Sequence, residues 1–577
     1  MNDEQLVVTQ DNKKKISFFS AILIVIGGSI GAGIFLRSKS VLSNSANNIV
    51  WAIIVWLIAG FAVITMALAL VEVASGRNDN LGMIGWAKAF NTLYIYKGAK
   101  FFMTYLYLPF TYFFMPYYVI VQFQDGLGGF GLNIGFGGSK LAPWFYFLIG
   151  LGLTLWMIFS AGLSSRIGNV QNWVVTSVKF IPLIAVVIVG FAFAAKNGIT
   201  YNKITTESLF DAKSTSLFGL SPFFAVFASL GGIFFAFDGF YVTAGVQSEM
   251  KHPEKTPAAL TIGLSTITII YIIIAVAMTL GAKTGGFYDY GELLANAKHG
   301  WAFGVINICI SIGIVGILNG FTMWATRWVE DLIKEGEISV PVKVYKYMKS
   351  AKTPLVGAIF CLILALPFMV IFTAIGAYAY FGGGYDSVYG YKIDNLLTFS
   401  DLMADWMAVF AFGFIAASIA GAIKNRKKHF IAVTENKHTI WAGSFSVTIV
   451  ATVLTFLIIN PFFSAALETG ILLQGKEKFI SDIALDPGQF DLIAKQDEAW
   501  QGLVNSTIGH YAAAVLFIVY TVVMFVPTVI EKKSVERKAL KIEEKLKTNL
   551  SVEERENVLL AKELNDIVLK TYQEARV

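Results

Sequence analysis

Charged residues are scarce in this sequence. Asp, Glu, Lys and Arg make up 15% of the 577 residues, whereas a soluble domain carries roughly a quarter. The deficit falls in repeated apolar runs of about 20 residues, the length that crosses a bilayer. This pattern excludes a soluble enzyme and predicts an all-α polytopic membrane protein.

Cysteine and histidine are also rare. The two cysteines, Cys309 and Cys361, both fall inside apolar runs, which argues against a disulfide framework and a thiolate metal site. None of the five histidines has metal-ligand spacing. A Gly-Lys-Ser/Thr phosphate-binding loop is missing from the sequence, as is a nucleophile–base pair at membrane depth. We therefore expect no enzyme activity, no catalytic residue, no metal site, no cofactor and no nucleic-acid partner.

The apolar runs predict twelve transmembrane helices. Lys and Arg are concentrated in alternate connections and in both tails, so the positive-inside rule predicts cytoplasmic termini. We expect a multi-pass protein of the plasma (cell) membrane. The predicted spans are 18–38, 49–71, 101–121, 143–161, 169–195, 222–247, 258–281, 301–326, 354–378, 397–422, 440–460 and 508–530.

The first predicted span contains a glycine-rich break between Gly27 and Phe35. Each glycine inside a helix costs about 1 kcal/mol relative to alanine, and irregular backbone survives in lipid only where it is buried in protein or lines a wet cavity. The break therefore predicts backbone N–H and C=O groups that face a ligand near mid-membrane. The alternative is close helix packing, because Gly27 and Gly31 have the small-xxx-small spacing of helix contacts.

The sixth predicted span contains a second break between Gly231 and Phe240, with Asp238 about halfway along the span. An acid at the centre of the bilayer costs about 2.5–3.5 kcal/mol on insertion scales, so Asp238 must face a cavity or a partner. Interrupted helices five spans apart indicate a transporter built from inverted repeats. Such breaks suit a zwitterion, because a helix N-terminus attracts a carboxylate and free carbonyls attract an ammonium group.

Two motifs carry a family resemblance. One is Gly27-x-x-Ile30-Gly31-x-Gly33-Ile34-Phe35 in span one. The other is Phe235-Ala236-Phe237-x-Gly239-Phe240 in span six, followed by the acidic, proline-containing stretch 249–257. Together they resemble the signatures of the amino acid–polyamine–organocation superfamily of permeases, and Val71-Glu72-Val73-Ala74 is similar to the motif that ends the family's second span.

The resemblance implies a leucine-transporter-like fold, with spans 1–5 and 6–10 as inverted repeats and spans 11–12 at the periphery. It divides the chain into a cytoplasmic tail (1–16), a first repeat (17–195), a second repeat (196–425), spans 11–12 with a long outer loop at 461–507 (426–530), and a cytoplasmic helical tail (531–577). A capping box formed by Ser551 and Glu554 predicts a helix in that last tail.

The resemblance also implies a substrate site. Backbone N–H groups after the first break would bind a carboxylate: those of Gly31, Ala32 and Gly33. Backbone carbonyls at both breaks would face an ammonium group: those of Ser29, Ile30, Phe235, Ala236 and Asp238. Phe235 or Phe240 would act as an aromatic gate, and simple packing is the alternative.

Two ionisable residues inside spans have open roles. Asp238 stands where the family commonly has a small or apolar residue, so its carboxylate would favour a basic substrate or a second proton site. Alternatively, Asp238 bonds neighbouring N–H groups and shapes the break. Lys179 resembles the lysine that replaces a sodium ion between spans one, five and eight in sodium-independent members. It would either release a proton during transport or brace span one as a fixed cation.

Four further residues have weaker assignments. We expect Arg37 and Lys39, after the first break, to sit at the outer mouth, where anchoring of the span at the membrane surface is the simplest role. Trp324 and Asn319 of span eight are candidates for the cavity lining.

The sequence therefore predicts a sodium-independent secondary transporter of amino acids that works by proton-coupled symport or by exchange. The alternative is a polyamine or other organic-cation permease or antiporter of the same superfamily, as Asp238 suggests. A channel is disfavoured because neither a filter motif nor rings of pore residues occur. The expected partners are a small-molecule substrate (an amino acid), the lipid bilayer and, for symport, protons, while the sequence leaves the oligomeric state open.

Overall fold

The computed structural model describes residues 17–30, 33–45, 48–76, 81–197, 221–241, 251–252, 255–282, 285–381, 385, 387–482, 492–548 and 550–574. Every regular element in these residues is a helix. Nine of the described helices are long and apolar enough to cross a membrane, which confirms an all-α polytopic membrane protein. The three other predicted spans, 18–38, 101–121 and 222–247, coincide with interrupted or short helices, and the total of twelve stays a prediction.

The helices follow the chain in order. Those of the first half are α1 (Phe18–Ser29), α2 (Gly33–Asn44), α3 (Ile49–Ser75), α4 (Met83–Phe90), α5 (Leu93–Phe102), α6 (Leu108–Gly129), α7 (Ala142–Met157) and α8 (Ser165–Asn197). Single π-helical turns at Met103–Tyr107 and Ile158–Gly162 join α5 to α6 and extend α7. Those that follow are α9 (Ser221–Phe237), α10 (Thr256–Gly281), α11 (Asp289–Asn296), α12 (Gly300–Lys334), α13 (Val342–Ser350), α14 (Leu355–Ala374), α15 (Ile393–Lys428), α16 (Thr439–Gln474), α17 (Lys476–Asp482), α18 (Leu492–Leu546) and α19 (Val552–Glu574).

The first predicted span is two helices rather than one. Helix α1 ends at Ser29 and α2 begins at Gly33. Ile30 has extended φ and ψ of −76° and 114°, although its N–H still bonds the carbonyl of Ile26 at 3.0 Å. The predicted interruption is therefore confirmed, while Gly31 and Ala32 lie outside the described residues.

The sixth predicted span is interrupted as well. Helix α9 ends at Phe237, and Asp238 and Gly239 form a turn. Gly239 has a φ of +96°, a conformation that favours glycine because it has no Cβ. The second break is thus confirmed at the position where sequence placed it.

Burial separates a central helix from peripheral ones. In the most apolar window of α15, 78% of residues are buried, against 28% for α16 and 33% for α18. The first of these helices corresponds to predicted span ten and the others to spans eleven and twelve. A helix buried on all sides belongs to the bundle core, whereas a helix with one buried stripe lies at its edge. The last two predicted spans therefore lie at the edge of the bundle, and α8 and α14, whose windows are also 33% buried, share that degree of exposure.

The connection between the last two spans is shorter than the predicted loop 461–507. Helix α16 continues to Gln474 and α18 begins at Leu492. Polar contacts hold these extensions together, since Glu468 accepts from Ser506 and pairs with His510, both at 2.8 Å. The hydropathy pattern predicted spans eleven and twelve to be too short, because both helices continue beyond the apolar residues into polar sequence.

A group of charged residues, here called the Lys97 cluster, is buried on one side of the bundle. It consists of Lys88, Lys97, Lys100, Glu337 and Glu531. Lys97 Nζ lies 3.0 Å from Glu337 and 3.1 Å from Glu531, and Lys100 contacts the same two carboxylates. The cluster joins α4, α5, the turn after α12 and the far part of α18.

The tail helix α19 packs onto this cluster. The capping box is confirmed, because Ser551 N–H donates to Glu554 at 3.0 Å and Glu554 N–H donates to the Ser551 hydroxyl at 3.4 Å. At the other end of α19, the Tyr572 hydroxyl donates to Glu531 at 2.6 Å, and Lys97 Nζ lies 4.9 Å from the Tyr572 ring centroid. The tail is therefore a docked helix rather than a free extension.

Candidate functional site

The two breaks meet each other inside the bundle. A Cβ built on Gly33, the first residue of α2, would lie 2.7 Å from the Cα and 2.8 Å from the Cβ of Ala236. No side chain fits there, so the approach of α2 to the end of α9 requires glycine at this position. The first N–H groups of α2 have no partner within the helix and carry its positive dipole end. An anion-attracting helix start therefore faces the second break.

Asp238 is held within the second break. One carboxylate oxygen accepts a hydrogen bond from the Tyr107 hydroxyl at 2.7 Å, and the other accepts from the Gly239 N–H at 3.0 Å. The Tyr241 hydroxyl donates to that of Tyr107 at 3.0 Å. In the described part of the chain, no cationic side chain lies within 4.0 Å of Asp238. These contacts agree with a shaping role and leave its negative charge without a counter-ion from those residues.

Two of the carbonyls predicted to face an ammonium group already accept hydrogen bonds. The Phe235 carbonyl accepts from the Asp238 N–H at 3.2 Å, and the Ala236 carbonyl accepts from the Tyr271 hydroxyl at 3.0 Å. A carbonyl oxygen has two lone pairs, so each keeps one for a ligand. These hydrogen bonds also fix the orientation of both peptide groups.

The two candidate gate residues occupy different surroundings. The Phe235 ring lies 5.5 Å from the guanidinium carbon of Arg37 and 6.0 Å from the rings of Phe114 and Tyr118. Phe240 is fully buried and packs on Phe412 of α15 at 5.6 Å. Phe240 thus has the surroundings of a packing residue, whereas Phe235 borders the Arg37 guanidinium.

Arg37 was expected to be an anchor at the membrane surface, and that prediction is wrong. Its side chain is 7% exposed and forms ion pairs with Asp401 at 2.9 Å and Asp405 at 2.8 Å. Lys39, two residues later, is exposed as an anchor would be. The local sequence gave no hint of a partner because the two aspartates follow more than 360 residues later in the chain.

The Arg37 cluster consists of Arg37, Asp401, Asp405, Tyr118 and Tyr385. Both tyrosine hydroxyls donate to the Asp401 carboxylate, at 2.7 and 3.1 Å. The two aspartates were overlooked as site residues, although they stand four residues apart within predicted span ten. That spacing places both carboxylates on one face of a helix, and acids inside a span indicate a functional position. The cluster ties the second half of the first interrupted helix to α15.

Lys179 lies where the family resemblance predicts. Its Nζ donates to the Gly27 carbonyl at 3.0 Å, and the side chain is buried. A Cβ on Gly313 of α12 would touch its Cγ at 3.4 Å. Lys179 therefore contacts α1 and α12 from α8, which are predicted spans one, eight and five. A cation at this point also meets the negative end of the α1 dipole.

The two cavity-lining candidates from predicted span eight, Asn319 and Trp324, lie away from the two breaks. Asn319 donates to the Gly168 carbonyl of α8 at 2.9 Å, and Trp324 stacks on Trp328 at 4.7 Å. Neither has a contact with the breaks among the described residues. Phe321, two residues after Asn319 and three before Trp324, does reach the site, since its ring lies 6.2 Å from that of Tyr107.

Potential metal ligands do not cluster in the part of the chain that the structure describes. Groups of three or more His, Cys, Asp or Glu side chains that would hold a metal ion are absent from those residues. Cys309 and Cys361 are both free thiols. Among the described residues, the breaks offer backbone hydrogen bonding, the hydroxyls of Tyr107 and Tyr241, the Asp238 carboxylate and the Lys179 ammonium group.

Comparison with known proteins gives the family. The profile described as amino acid permease matches residues 16–473. A protein of Mycoplasma pneumoniae, recorded as uncharacterized, is 40% identical over 559 residues, which covers 92% of this chain and 96% of that one. The serine/threonine exchanger SteT of Bacillus subtilis is 26% identical over 375 residues, covering 63% of this chain and 78% of the exchanger.

Two further comparisons are more distant. The b(0,+)-type amino acid transporter 1 of Mus musculus is 24% identical over 385 residues, covering 63% of this chain and 71% of the transporter. A crystal structure of a manganese transporter from Eremococcus coleocola aligns over 87% of this chain and 95% of its own, at 13% identity and a TM-score of 0.46. The profile match covers most of the sequence, and the chain belongs to the amino acid permease family.

Proposed function

We propose that the protein is a secondary transporter that carries amino acids across the plasma membrane, independently of sodium, by exchange or by proton-coupled symport. The observation that carries this proposal is the contact between the start of α2 and Ala236 at the end of α9. Two helix ends that meet at membrane depth leave N–H and C=O groups for the carboxylate and ammonium of one substrate. The ligands we propose are the backbone groups of Ser29, Ile30, Gly31, Ala32, Gly33, Phe235, Ala236 and Asp238.

Sodium independence is proposed from the position of Lys179. Its ammonium group sits at the C-terminal end of α1 and satisfies the Gly27 carbonyl. A sodium ion nearby would meet the repulsion of a like charge in a medium of low dielectric constant. Exchange is further supported by the relative named as a serine/threonine exchanger.

The arrangement in the membrane belongs to the same proposal. We place both termini in the cytoplasm because of the Lys and Arg distribution, and we divide the transporter into repeats 17–195 and 196–425. The Lys97 cluster and α19 then face the cytoplasm, and the Arg37 cluster faces outward.

Transport of polyamines or other organic cations is a second candidate. It is favoured by Asp238, whose carboxylate accepts hydrogen bonds from neutral groups only, as far as the described residues show. A cationic substrate would supply the missing positive charge.

Uptake into proteoliposomes tests both candidates. Labelled neutral, basic and acidic amino acids and polyamines are supplied with and without sodium, a pH gradient and internal counter-substrate. We expect amino acid uptake that sodium does not change and that internal substrate or an inward proton gradient accelerates. Uptake that requires sodium contradicts the proposal, and uptake of polyamines alone replaces it with the second candidate.

The role of Lys179 has its own test. If Lys179 releases a proton during transport, Lys179→Ala removes the pH dependence of uptake while residual uptake continues. Lys196→Ala is the matched control, because Lys196 is an exposed lysine in the last turn of the same helix. An unchanged pH profile in Lys179→Ala contradicts proton coupling and leaves the fixed-cation role.

A further inference from the structure

A short basic helix, α13, connects two of the long apolar helices. It begins seven residues after α12 ends and finishes four residues before α14 begins, and both neighbours are candidate membrane spans. Residues 338–385 contain four lysines and neither an arginine nor an acidic residue. All four belong to α13 or to the connection after it: Lys343, Lys346, Lys349 and Lys352. The positive charge is therefore concentrated where the chain re-enters the membrane.

The lysines of α13 lie on the side of the helix that faces away from the protein. Tyr345 and Met348 are buried, whereas Lys343 and Lys349 are exposed and Lys346 is half-buried. Positions three residues apart are neighbours on a helix surface, so the three lysines form one strip. Lys349 Nζ lies 4.9 Å from the Tyr345 ring centroid, and a cation–π contact leaves most of the ammonium's N–H donors for a ligand.

The protein compensates little of this charge. Lys346 pairs with Glu556 of α19 at 3.5 Å, and the two side chains are 40% and 70% exposed. The other three lysines of the group form no ion pair with any residue that the structure describes. Residues 531–547 of α18, by comparison, mix seven basic residues with four acidic ones. The strip on α13 therefore has positive charge available for a partner outside the chain.

The lipid-facing side of α14 begins next to these lysines. Ile359 and Ile363 stand four residues apart on one face of α14 and are 47% and 63% exposed, so this face of an apolar span borders lipid. Lys352 precedes Leu355 by three residues and Lys349 precedes it by six, which places them within roughly 10 and 20 Å of the start of α14. A lipid whose chain lies along Ile359 and Ile363 therefore has its head group beside the two lysines.

The charge of the strip selects among head groups. Phosphatidylcholine is neutral overall because its choline cancels its phosphate, whereas phosphatidylglycerol keeps a net negative charge. A lysine close to the membrane surface strengthens the binding of anionic lipid roughly fivefold. Tyr347 is 50% exposed on the same short helix, and exposed tyrosines are enriched at the level of the head groups. Charge and position thus both favour an anionic phospholipid.

We propose that the α13 surface, formed by Lys343, Lys346, Lys349, Lys352 and Tyr347, binds the anionic head groups of membrane phospholipids. Lys349 and Lys352 contact the phosphate of a lipid whose chain follows α14, and Lys343 and Lys346 attract neighbouring head groups. This binding does not rest on the proposed transport function, so its test reads binding directly.

The experiment is photolabelling of the purified full-length protein in phosphatidylcholine nanodiscs. Two probes carry the same photoactivatable acyl chain, one on a phosphatidylglycerol head and the other on a phosphatidylcholine head. We expect the phosphatidylglycerol probe to label peptides of α13 and α14 at least about fivefold more strongly. This preference should shrink in about 1 M salt, where the Debye length falls to about 3 Å.

Three outcomes overturn the proposal. Equal labelling by the two probes shows that the surface does not read charge. A preference that salt leaves unchanged shows that the contact is not electrostatic. Inorganic phosphate that competes as well as unlabelled phosphatidylglycerol shows that the surface binds a free anion rather than a membrane head group.

Paired substitutions locate the contact. Lys349→Gln combined with Lys352→Gln should bring labelling by the phosphatidylglycerol probe close to that by the phosphatidylcholine probe, whereas arginine at both positions should keep the preference. Lys541→Gln combined with Lys545→Gln is the matched control, because it removes the same charge from exposed positions of α18, roughly 15 Å or more beyond the end of predicted span twelve. The control should label as the wild type does. Equal labelling of the two glutamine variants contradicts the proposal.

Discussion

The two buried charge clusters differ in what they connect and in their formal charge. The Arg37 cluster has one cation and two carboxylates, and it joins α2, half of an interrupted helix, to α15. The Lys97 cluster has three cations and two carboxylates, and none of its residues belongs to α1, α2 or α9. Counted along α5 and α6, Lys97 and Tyr118 are roughly 30 Å apart at 1.5 Å per residue. The first cluster thus depends on the position of an interrupted helix, and the second braces the frame around it.

This difference predicts that the Arg37 cluster controls transport and the Lys97 cluster controls stability. Arg37→Ala should have the largest effect of the changes considered. Removing one partner of a buried ion pair costs about 3–5 kcal/mol, and here it leaves two carboxylates four residues apart. We expect proteoliposome uptake to fall by more than about tenfold, because an arrangement destabilised by about 3 kcal/mol loses roughly 100-fold in population.

Lys39→Ala is the control for Arg37→Ala, since Lys39 lies on the same helix but is exposed. Its uptake should match the wild type. Normal uptake by Arg37→Ala would show that the cluster is only structural and would remove the contrast between the two regions.

Glu337→Gln should lower stability and leave transport intact, the opposite of the result expected for Arg37→Ala. Glu337 is 2% exposed at its side chain and lies within 4.0 Å of three lysines. Its replacement leaves Lys97 and Lys100 with Glu531 alone, at a cost of roughly 3 kcal/mol. We expect a lower thermal transition temperature in detergent, with uptake per folded molecule close to wild type. The exposed Glu335→Gln is the control, and an uptake defect without a stability defect would contradict the assignment.

The pH dependence of stability is the third prediction. Burial alone would raise the pKa of Glu337, but Lys97, Lys100 and Lys88 outweigh it and lower the pKa from 4.5 to about 2. A carboxylate with a lowered pKa in the folded state contributes stability that is complete above its unfolded pKa. This contribution should therefore disappear as the pH falls from 4.5 toward 2. The transition temperature of Glu337→Gln should change less than that of the wild type across this range. If the transition temperatures of the two proteins fall in parallel with pH, the prediction is wrong.

Tyr572→Phe should have the smallest effect. It removes the hydroxyl that donates to Glu531 at 2.6 Å but keeps the ring 4.9 Å from Lys97 Nζ. A hydrogen bond to a charged group contributes about 1.5–3 kcal/mol, and water replaces part of it at this half-buried position. We expect a small decrease in transition temperature, none in the exposed Tyr347→Phe control, and unchanged uptake in both. A large loss of uptake in Tyr572→Phe would place the tail in the transport cycle.

The sequence predicted the helices and both breaks because each depends on local chemistry. Apolar runs, glycines and one acid inside a span are visible without knowing what they touch. The partners of Arg37 and Glu337 were not predicted, because Asp401 and Lys97 lie hundreds of residues away along the chain. Glu337 follows a helix in a polar segment, where hydropathy predicts exposure. Lys179 was placed correctly only because its surroundings resemble a family motif.

The π-helical turn at Met103–Tyr107 joins the helix of the Lys97 cluster to the helix that carries Tyr118. Such a turn contains about one residue more than an α-helical turn. Deleting a residue there would restore regular winding and leave the flanking faces nearly unchanged, but it would move the phenol of Tyr107 away from Asp238. The hydrogen bond between Tyr107 and Asp238 therefore depends on the number of residues in this one turn. Deleting a residue from the turn and replacing Tyr107 should both remove that hydrogen bond.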